Sequence, residues 1–398
     1  MSARRILRTL PLVLVVGLGL VLIGRWQPPA LAQTGPPAAQ QDCTVDRIVA
    51  RMTPQQRIGQ LFMVGFRSGW TEQQQQATFD AITQMHAGNV VFWGTGWSSA
   101  GLISDATDRL QEATKAANLE IQAYISGNQE GGQAGAFQAF YGAGFSSMPS
   151  PIYQAQGDPA RLQEQARIWG VQLSNAGVNL NLAPVLDTVP PDTQIENSPI
   201  GYWGREYGFA PEEVTRYGVA FARGMLLAPI DVSIKHFPGL GRVQGNTDFT
   251  AENNEDVDFT GLGDPYLAPY KAAIDAGVQF VMMSLAVYPR VDPQPAAFSS
   301  TIIRSILREG LGFDVVVISD DVGLAAAVQD RTPAQRPLDF FRAGGDMLLT
   351  VLPADIQPMT NAVFTFYTTD AAFKATIDAA VQRVLRAKAK SGLLPKRC

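Results

Sequence analysis

The sequence predicts an α/β fold, a (β/α)8 barrel in a single domain. Eight apolar runs have the length and composition of buried strands, and most are separated by segments with helical character. Several runs begin directly after a glycine that ends a helix, as in "AGVNL", "AGVQF" and "LGFDV". Strands that alternate with helices form right-handed βαβ units and a parallel sheet. A (β/α)8 barrel is closed by eight such units.

The predicted strands are recognised by their apolar runs. In chain order these runs are "IGQLFMVGF", "GNVVFWG", "EIQAYIS", "VNLNLAPVLD", "PIDVSIKHF", "VQFVMMSLAVY", "FDVVVISDD" and "GDMLLTVL". Segments such as "DPARLQEQARIWGVQLSNAG" and "APEEVTRYGVAFARGMLLA" supply the helices. A doubly wound open sheet is the alternative architecture. No G-x-G-x-x-G motif follows an early strand, which disfavours the dinucleotide-binding form of that alternative.

The N-terminal segment predicts export. A basic stretch, "MSARRILRT", precedes the apolar stretch "LPLVLVVGLGLVLIG", which is shorter than the ~20 residues of a spanning helix. Ala30-Leu31-Ala32 then fits the small-x-small cleavage rule. We therefore interpret residues 1–32 as a signal peptide, with an uncleaved membrane anchor as the alternative, and residues 33–42 as a linker. The expected location is extracellular, periplasmic or at the cell envelope.

The two cysteines lie at the two ends of the predicted folded region, 43–398. Exported proteins fold in an oxidising environment, so Cys43 and Cys398 are expected to form a disulfide, with two free thiols as the alternative. The oligomeric state stays open, although a monomer is favoured.

Composition limits the possible functions. The chain is 46% hydrophobic, which allows a sizeable core, and 17% charged, below the ~25% of typical soluble domains. The net charge is −5 and no basic run lies outside the N-terminus, which argues against nucleic-acid binding. Only His86 and His236 are histidines, so a metal site rich in histidine or cysteine is disfavoured. We expect no metal and no cofactor.

Candidate site residues follow from the barrel itself, since active sites lie at the C-terminal ends of barrel strands. Charges of both signs from separate strands converge there, as expected for binding and cleaving a polar, uncharged substrate. A single strand-end aspartate is often only a helix cap, so the convergence carries the argument. The polar residues at strand ends are Asn128, Glu130, Asp187, Arg205, Lys235, His236, Asp248, Ser284, Ser319, Asp320 and Asp321.

Five motifs in this order, "NQEGG", "GVNLNLAPVLD", "IGYWGREYG", "KHFPGLG" and "VVVISDDVG", resemble glycoside hydrolase family 3. They are most similar to its single-domain β-N-acetylglucosaminidases of bacterial cell-wall turnover. The resemblance extends from about Met52 to about Arg386. It implies a retaining glycosidase that removes terminal β-N-acetylglucosamine from cell-wall-derived glycans.

The resemblance also assigns roles. The nucleophile of the family falls on Asp320, where a carboxylate traps the oxocarbenium-like centre as a glycosyl-enzyme. Asp321 is then a structural neighbour. Charged and imidazole donors suit the recognition of sugar hydroxyls because their hydrogen bonds are strong and directional. The substrate-binding residues that the resemblance implies are Asn128, Glu130, Arg205, Lys235 and His236.

The loop after "KHFPG" departs from the family pattern. That loop usually contains Asp-x-His, whose histidine is the general acid/base, but here the positions are Asn246 and Asp248. Asp248 would then be the acid/base, with a pKa raised by burial or by Asp320. The alternative is that Asp248 is only a turn residue.

Three other positions also differ from the family, because Asn128, Ala136 and Leu240 replace an expected aspartate, arginine and histidine. Two functions therefore stay open. One is a secreted β-glycosidase, favoured by the retained Asp320. The other is a catalytically silent glycan-binding barrel, favoured by the lost Asp-His dyad.

Overall fold

Parallel strands form the centre of the computed structural model, which describes residues 44–134 and 137–397. The strands are β1 Phe62–Arg67, β2 Asn89–Trp93, β3 Tyr124–Gly127, β4 Leu180–Asn181, β5 Asp231–Phe237, β6 Phe280–Met283, β7 Val287–Tyr288, β8 Asp292–Pro295, β9 Val316–Ser319 and β10 Leu348–Thr350. Eight of them form one sheet in the order β10-β1-β2-β3-β4-β5-β6-β9, and β7 and β8 form a separate antiparallel hairpin.

Backbone hydrogen bonds between β9 and the start of β10 close the sheet. Ile318 pairs in parallel with Met347, and Met347 N donates to Val317 O at 3.0 Å. On the other side, β10 pairs with β1, where Phe62 is opposite Leu348. The predicted (β/α)8 barrel is therefore confirmed, and each of the eight predicted runs overlaps one of its strands.

The helices surround this barrel. They are α1 Val45–Arg51, α2 Pro54–Gly59, α3 Glu72–Met85, α4 Ala100–Ala117, α5 Pro151–Gln154, α6 Pro159–Asn175, α7 Pro211–Leu227, α8 Ala268–Asp275, α9 Gln335–Ala343, α10 Pro353–Thr369 and α11 Ala371–Lys390. A π-helix, Thr301–Gly310, lies between β8 and β9.

Local sequence explains where these helices begin and end. Before α6, the Asp158 carboxylate accepts from Ala160 N at 2.9 Å, and Pro159 occupies the first helical position, where its missing N–H costs nothing. After α6, Gly177 adopts φ +81°, a left-handed conformation that favours glycine. The strand residues of the barrel are almost all buried, because helices cover the outer face and side chains fill the interior.

His86 lies on the face of the barrel opposite the strand ends that carry the candidate site. It is the C-terminal cap of α3, with φ 62°, and its Nδ1 donates to Ala117 O at 3.1 Å. These contacts give His86 a structural role. Within the described ranges, no helix combines the length and apolar character needed to cross a membrane. The predicted signal peptide, linker and Cys43–Cys398 disulfide fall on residues outside those ranges.

Candidate active site

The predicted site residues meet at the C-terminal ends of four barrel strands. Asn128 and Glu130 follow β3, Lys235 and His236 are the last polar residues of β5, and Asp320 comes directly after β9. Arg205 reaches the same region from the long loop after β4, as its bonds to Glu130 demonstrate. Barrel closure thus brings together residues that are almost 200 positions apart in the chain, from 128 to 320.

The Glu130 carboxylate forms a buried ion cluster with two cations. Lys235 Nζ lies 2.6 Å from Glu130 Oε1, and Arg205 donates to Glu130 through Nε at 2.8 Å and Nη2 at 2.9 Å. Burial alone would raise the pKa of Glu130, but the charges of Arg205 and Lys235 outweigh it and lower that pKa to about 2. Glu130 is thus ionised at all moderate pH values. It is also fully buried, so we infer that it positions the two cations and does not itself contact a substrate.

Lys235 connects this cluster to the candidate substrate pocket. Its Nζ also donates to Asn128 Oδ1 at 3.0 Å. Burial lowers the pKa of Lys235, and the neighbouring Glu130 charge partly opposes that shift. Asn128, which is partly exposed, replaces the aspartate of the family motif and therefore presents an uncharged amide at this position.

His236 is oriented by a buried aspartate. Its Nδ1 lies 2.7 Å from Asp187 Oδ2, while Asp187 Oδ1 accepts from Tyr270 OH at 2.9 Å and from Leu240 N at 2.7 Å. Although burial opposes it, the interactions with His236 and the backbone donors lower the pKa of Asp187. The other ring nitrogen, Nε2, lies 4.0 Å from Asp320 Oδ2. Asp187 therefore fixes the imidazole so that Nε2 faces the candidate nucleophile.

Asp320 and Asp321 have different environments although they are adjacent. Asp320 accepts one backbone hydrogen bond, from Asp321 N at 2.8 Å, and its side chain is 20% exposed. Asp321 accepts from Gly323 N and Val351 N at 2.9 Å and from Leu324 N at 3.0 Å. Asp321 thus holds the turn after β9 and links it to the end of β10, whereas Asp320 keeps an oxygen available to the pocket.

The loop after β5 brings Asp248 to the mouth of the same site. Asp248 N donates to Asn246 Oδ1 at 3.0 Å, so the Asn246 side chain makes the local turn. Thr247 O and Asp248 O accept from Ala327 N at 3.1 Å and Ala326 N at 3.2 Å, which bonds this loop to the segment after Asp320. In the described chain, no hydrogen bond engages the Asp248 carboxylate. A purely turn-forming role for that carboxylate is therefore disfavoured.

The charges around Asp248 suit a group that carries a proton near neutral pH. The pKa of Asp248 is raised to about 6, first by desolvation among surrounding side chains and second by repulsion from Asp320. Arg205, His236 and Lys235 oppose the shift. The side chain is exposed on its solvent side, so a substrate can reach it.

Other carboxyl groups near the mouth are less suitable as acids. The pKa of Glu206 is raised to about 7 by burial, yet its side chain is fully enclosed and its Oε1 accepts from Gln194 Nε2 at 2.7 Å. Glu130 is held ionised by its two cations. Ser284, another residue predicted at a strand end, accepts from Ala286 N at 2.9 Å and from Tyr288 OH at 3.1 Å and so has a structural role.

The loops around the mouth are bonded to one another. Asn197, in the loop after β4, donates through Nδ2 to Leu240 O at 2.8 Å and Val243 O at 2.6 Å in the loop after β5. Leu240 itself is buried and its side chain is apolar. Ala136 lies outside the described residues. The mouth is thus preorganised by hydrogen bonds between its loops.

A cavity lies apart from this cluster of side chains. An open groove of about 970 Å³ is lined by residues that include Arg67, Trp70, Gln74 and Arg109, beside the ends of β1 and β2. None of the predicted site residues lines it. In the described part of the chain, no group of three or more His, Cys, Asp or Glu side chains is arranged to hold a metal ion. The candidate active site is therefore identified by the side chains that meet at the strand ends, with Asp320 and Asp248 as its carboxyl groups.

Comparisons with known proteins give the sequences and structures that this chain is similar to. Residues 53–387 match the family profile described as "Glycosyl hydrolase family 3 N terminal domain". A β-hexosaminidase of Stenotrophomonas maltophilia (strain R551-3) is 30% identical over 282 residues, which are 69% of this chain and 79% of the relative.

Two solved structures are similar over most of the chain. A β-N-acetylhexosaminidase from Beutenbergia cavernae DSM 12333 has a TM-score of 0.81 and 41% identity, covering 85% of this chain and 99% of that protein. A glycoside hydrolase family 3 β-N-acetylglucosaminidase from Paenibacillus sp. str. FPU-7 has a TM-score of 0.74 and 26% identity, covering 86% of this chain and 63% of the other.

The buried ion cluster makes a prediction about stability. Glu130→Gln removes the shared anion and leaves the buried cations Lys235 and Arg205 without it, which should lower the free energy of unfolding by about 3–5 kcal/mol. Because the pKa of Glu130 is about 2, its contribution is lost only as the pH falls toward that value, so the difference should be constant between about pH 5 and pH 8. Chemical denaturation of Glu130→Gln and of the unaltered protein measures this difference in the free energy of unfolding.

The matched control is Glu164→Gln. Glu164 pairs with Arg167 on the exposed surface of α6, so its replacement should leave the denaturation midpoint nearly unchanged. Equal midpoints for Glu130→Gln and the unaltered protein would contradict the role assigned to the cluster.

Proposed function

Because this chain belongs to glycosyl hydrolase family 3 and is a glycoside hydrolase acting on O-glycosyl bonds, we propose that it is a retaining β-N-acetylglucosaminidase. Asp320 is the proposed nucleophile and Asp248 the proposed acid/base. The observation that carries the proposal is that two carboxyl groups at the mouth of the barrel, Asp320 and Asp248, have different environments. Asp320 has an oxygen facing the pocket, and Asp248 has a pKa raised to about 6 partly by the Asp320 charge.

The proposed sugar specificity rests on relatives and on the polarity of the site. Relatives at 30% and 41% identity are a β-hexosaminidase and a β-N-acetylhexosaminidase. Asn128, Lys235 and His236 place an amide, an ammonium and an imidazole beside Asp320, groups that bond well to sugar hydroxyls. We propose that these residues bind the terminal sugar. The Arg205 guanidinium adds positive charge to the site. It is held there by hydrogen bonds to the Glu130 carboxylate and to Pro199 O.

In the first step, protonated Asp248 donates its proton to the glycosidic oxygen while an Asp320 oxygen attacks the anomeric carbon. The bond from that carbon to the leaving oxygen breaks, and a glycosyl ester forms on Asp320. His236, oriented by Asp187, lies next to the attacking carboxylate and maintains its position.

In the second step, ionised Asp248 accepts a proton from water, and the resulting hydroxide attacks the anomeric carbon and releases Asp320. Esterification removes the negative charge of Asp320, which is the second cause of the raised Asp248 pKa. The pKa of Asp248 therefore falls once the intermediate forms, and the same residue is suited to be an acid in one step and a base in the next.

We also propose that the enzyme is exported and acts on glycans derived from the cell wall. The basic and apolar pattern of residues 1–32 supports export, with an uncleaved anchor as the alternative. The acidic composition supports a neutral glycan and not a nucleic acid as partner. The silent glycan-binding alternative rests on the replacement of Asp-x-His by Asn246 and Asp248, and turnover of chromogenic β-glycosides distinguishes it from the enzyme.

The first prediction concerns Asp320. Asp320→Ala should reduce turnover by on the order of 10⁴-fold or more, since the covalent route is lost, with an unchanged circular dichroism spectrum. A slow fluorinated glycoside should label Asp320 of the unaltered enzyme, detectable by peptide mass spectrometry. A label on any other carboxylate would refute the assignment.

The second prediction concerns Asp248. Asp248→Ala should slow substrates with poor leaving groups far more than activated aryl glycosides, which need no proton in the first step. The activated substrates should accumulate glycosyl-enzyme, and added azide should restore turnover by attacking that ester without base assistance. Equal rate losses for both substrate types, with no azide rescue, would rule out an acid/base role.

The pH profile gives the third prediction. Asp248 must be protonated for the first step, so kcat/KM should fall as the pH rises through about 6. In Asp248→Asn, with an activated substrate, the descending limb near pH 6 should be absent. Retention of that limb in the variant would assign it to another group.

A further inference from the structure

Exposed aromatic side chains of the described chain are confined to one sector of the catalytic face. They are Tyr153, Tyr202, Trp203 and Phe249, with exposed fractions of 63%, 60%, 40% and 80%. Tyr153 lies between β3 and α6, Tyr202 and Trp203 lie after β4, and Phe249 lies after β5. Large exposed aromatic groups that cluster instead of scattering mark a binding surface. These three strands also contribute most of the candidate site.

Three of the rings in this sector form a continuous surface, here called the aromatic rim, made of Phe137, Tyr202 and Trp203. The ring centroids of Phe137 and Trp203 are 5.6 Å apart, and those of Tyr202 and Trp203 are 5.0 Å apart at an angle of 81°. The Arg205 guanidinium lies 4.5 Å from the Phe137 ring centroid. Since Arg205 also bonds Glu130, the rim begins at the ion cluster of the active site and extends outward.

The backbone beneath the rim is held in place before any ligand binds. Asn197 Oδ1 accepts from Gly201 N at 2.7 Å and from Ile200 N at 3.1 Å, at the start of the short 3₁₀ turn Gly201–Trp203. Gly204 ends that turn at φ 64°. A surface ordered in advance loses less conformational freedom on binding, so its contacts contribute more to affinity.

The position of the rim relative to the acid indicates what it contacts. A general acid lies beside the glycosidic oxygen, on the side of the leaving group. Asp248 is followed directly by the exposed Phe249, and its loop is bonded through Asn197 to the loop that carries the rim. The rim therefore borders the side of the pocket where the leaving group departs.

We propose that the aromatic rim is a subsite for a second sugar ring, the one released as the leaving group. This inference rests on the proposed function. One face of a pyranose ring is made of C–H groups, which stack on aromatic rings while the hydroxyl groups stay in water. Tyrosine and tryptophan suit such a contact because each combines a large apolar surface with one polar group. The substrate class is then a β-linked oligosaccharide with a sugar as its leaving group, in preference to a glycoside of a small alcohol.

The test compares two substrates that share the terminal sugar. N,N′-diacetylchitobiose fills the rim with a second ring, whereas N-acetyl-β-glucosaminyl fluoride has a leaving group too small to reach it. Trp203→Ala should lower the ratio of kcat/KM for the disaccharide to kcat/KM for the fluoride about tenfold, a typical effect of one lost stacking contact. Trp203→Phe keeps an aromatic face and should recover most of that ratio.

The matched control is Leu227→Ala. Leu227 is 61% exposed at the end of α7, away from the strand ends, so the ratio should be unchanged. An equal loss on both substrates in Trp203→Ala, or an unchanged ratio, would overturn the subsite.

If the unaltered protein hydrolyses no glycoside, the proposed function fails independently of the rim. Binding of N,N′,N″-triacetylchitotriose, monitored by tryptophan fluorescence, then tests whether the rim binds sugar. Binding that is weakened about tenfold by Trp203→Ala supports a sugar-binding rim, and binding that is absent or unaffected overturns it.

Discussion

The carboxylate of Glu130 joins the segments on which the candidate site is built. It accepts from Lys235 at the end of β5 and from Arg205 in the loop after β4, while its own backbone follows β3. Two buried cations require a buried anion, because a charge removed from water without a partner costs several kcal/mol. This constraint fixes three strand ends relative to one another. Lys235 then positions Asn128, and Arg205 supports the first ring of the aromatic rim.

Two carboxyl groups of this site, Glu130 and Asp248, are both desolvated but differ in protonation state. Desolvation raises the pKa of any carboxyl group, and the result depends on the charges that face it. Glu130 faces two cations at bonding distance and stays ionised. Asp248 faces Asp320, and Arg205, His236 and Lys235 only partly oppose the effects of desolvation and of that repulsion, so Asp248 holds a proton to about pH 6. The site thus contains one carboxylate that stays charged, Glu130, and one carboxyl group that titrates near pH 6, Asp248.

The sequence was informative for features that a single apolar run or a single strand-end position reveals. Apolar runs located all eight barrel strands, and the rule that barrel sites lie at strand ends located Asp320, Lys235 and His236. Contacts between distant segments were less predictable. Asp187 was recognised as a strand-end residue, but its bond to His236 depends on the spatial neighbourhood of β4 and β5. Glu130 matched a motif, yet only burial distinguishes a positioning residue from a sugar contact. The aromatic rim had no sequence signal, because Phe137 and Trp203 become neighbours only through folding.

The loop that carries Asp248 is attached by main-chain atoms. Ala326 N and Ala327 N donate to the carbonyl oxygens of Asp248 and Thr247, and such bonds do not depend on which side chains the loop bears. The attachment therefore fixes the position of the residue at 248 but does not depend on which side chain that residue has. A loop anchored in this way tolerates exchange of its functional residue during evolution. The histidine of the Asp-x-His pattern that the resemblance implies and the Asp248 carboxyl group of this chain can occupy one location, and the barrel needs no rebuilding when the proposed proton donor changes.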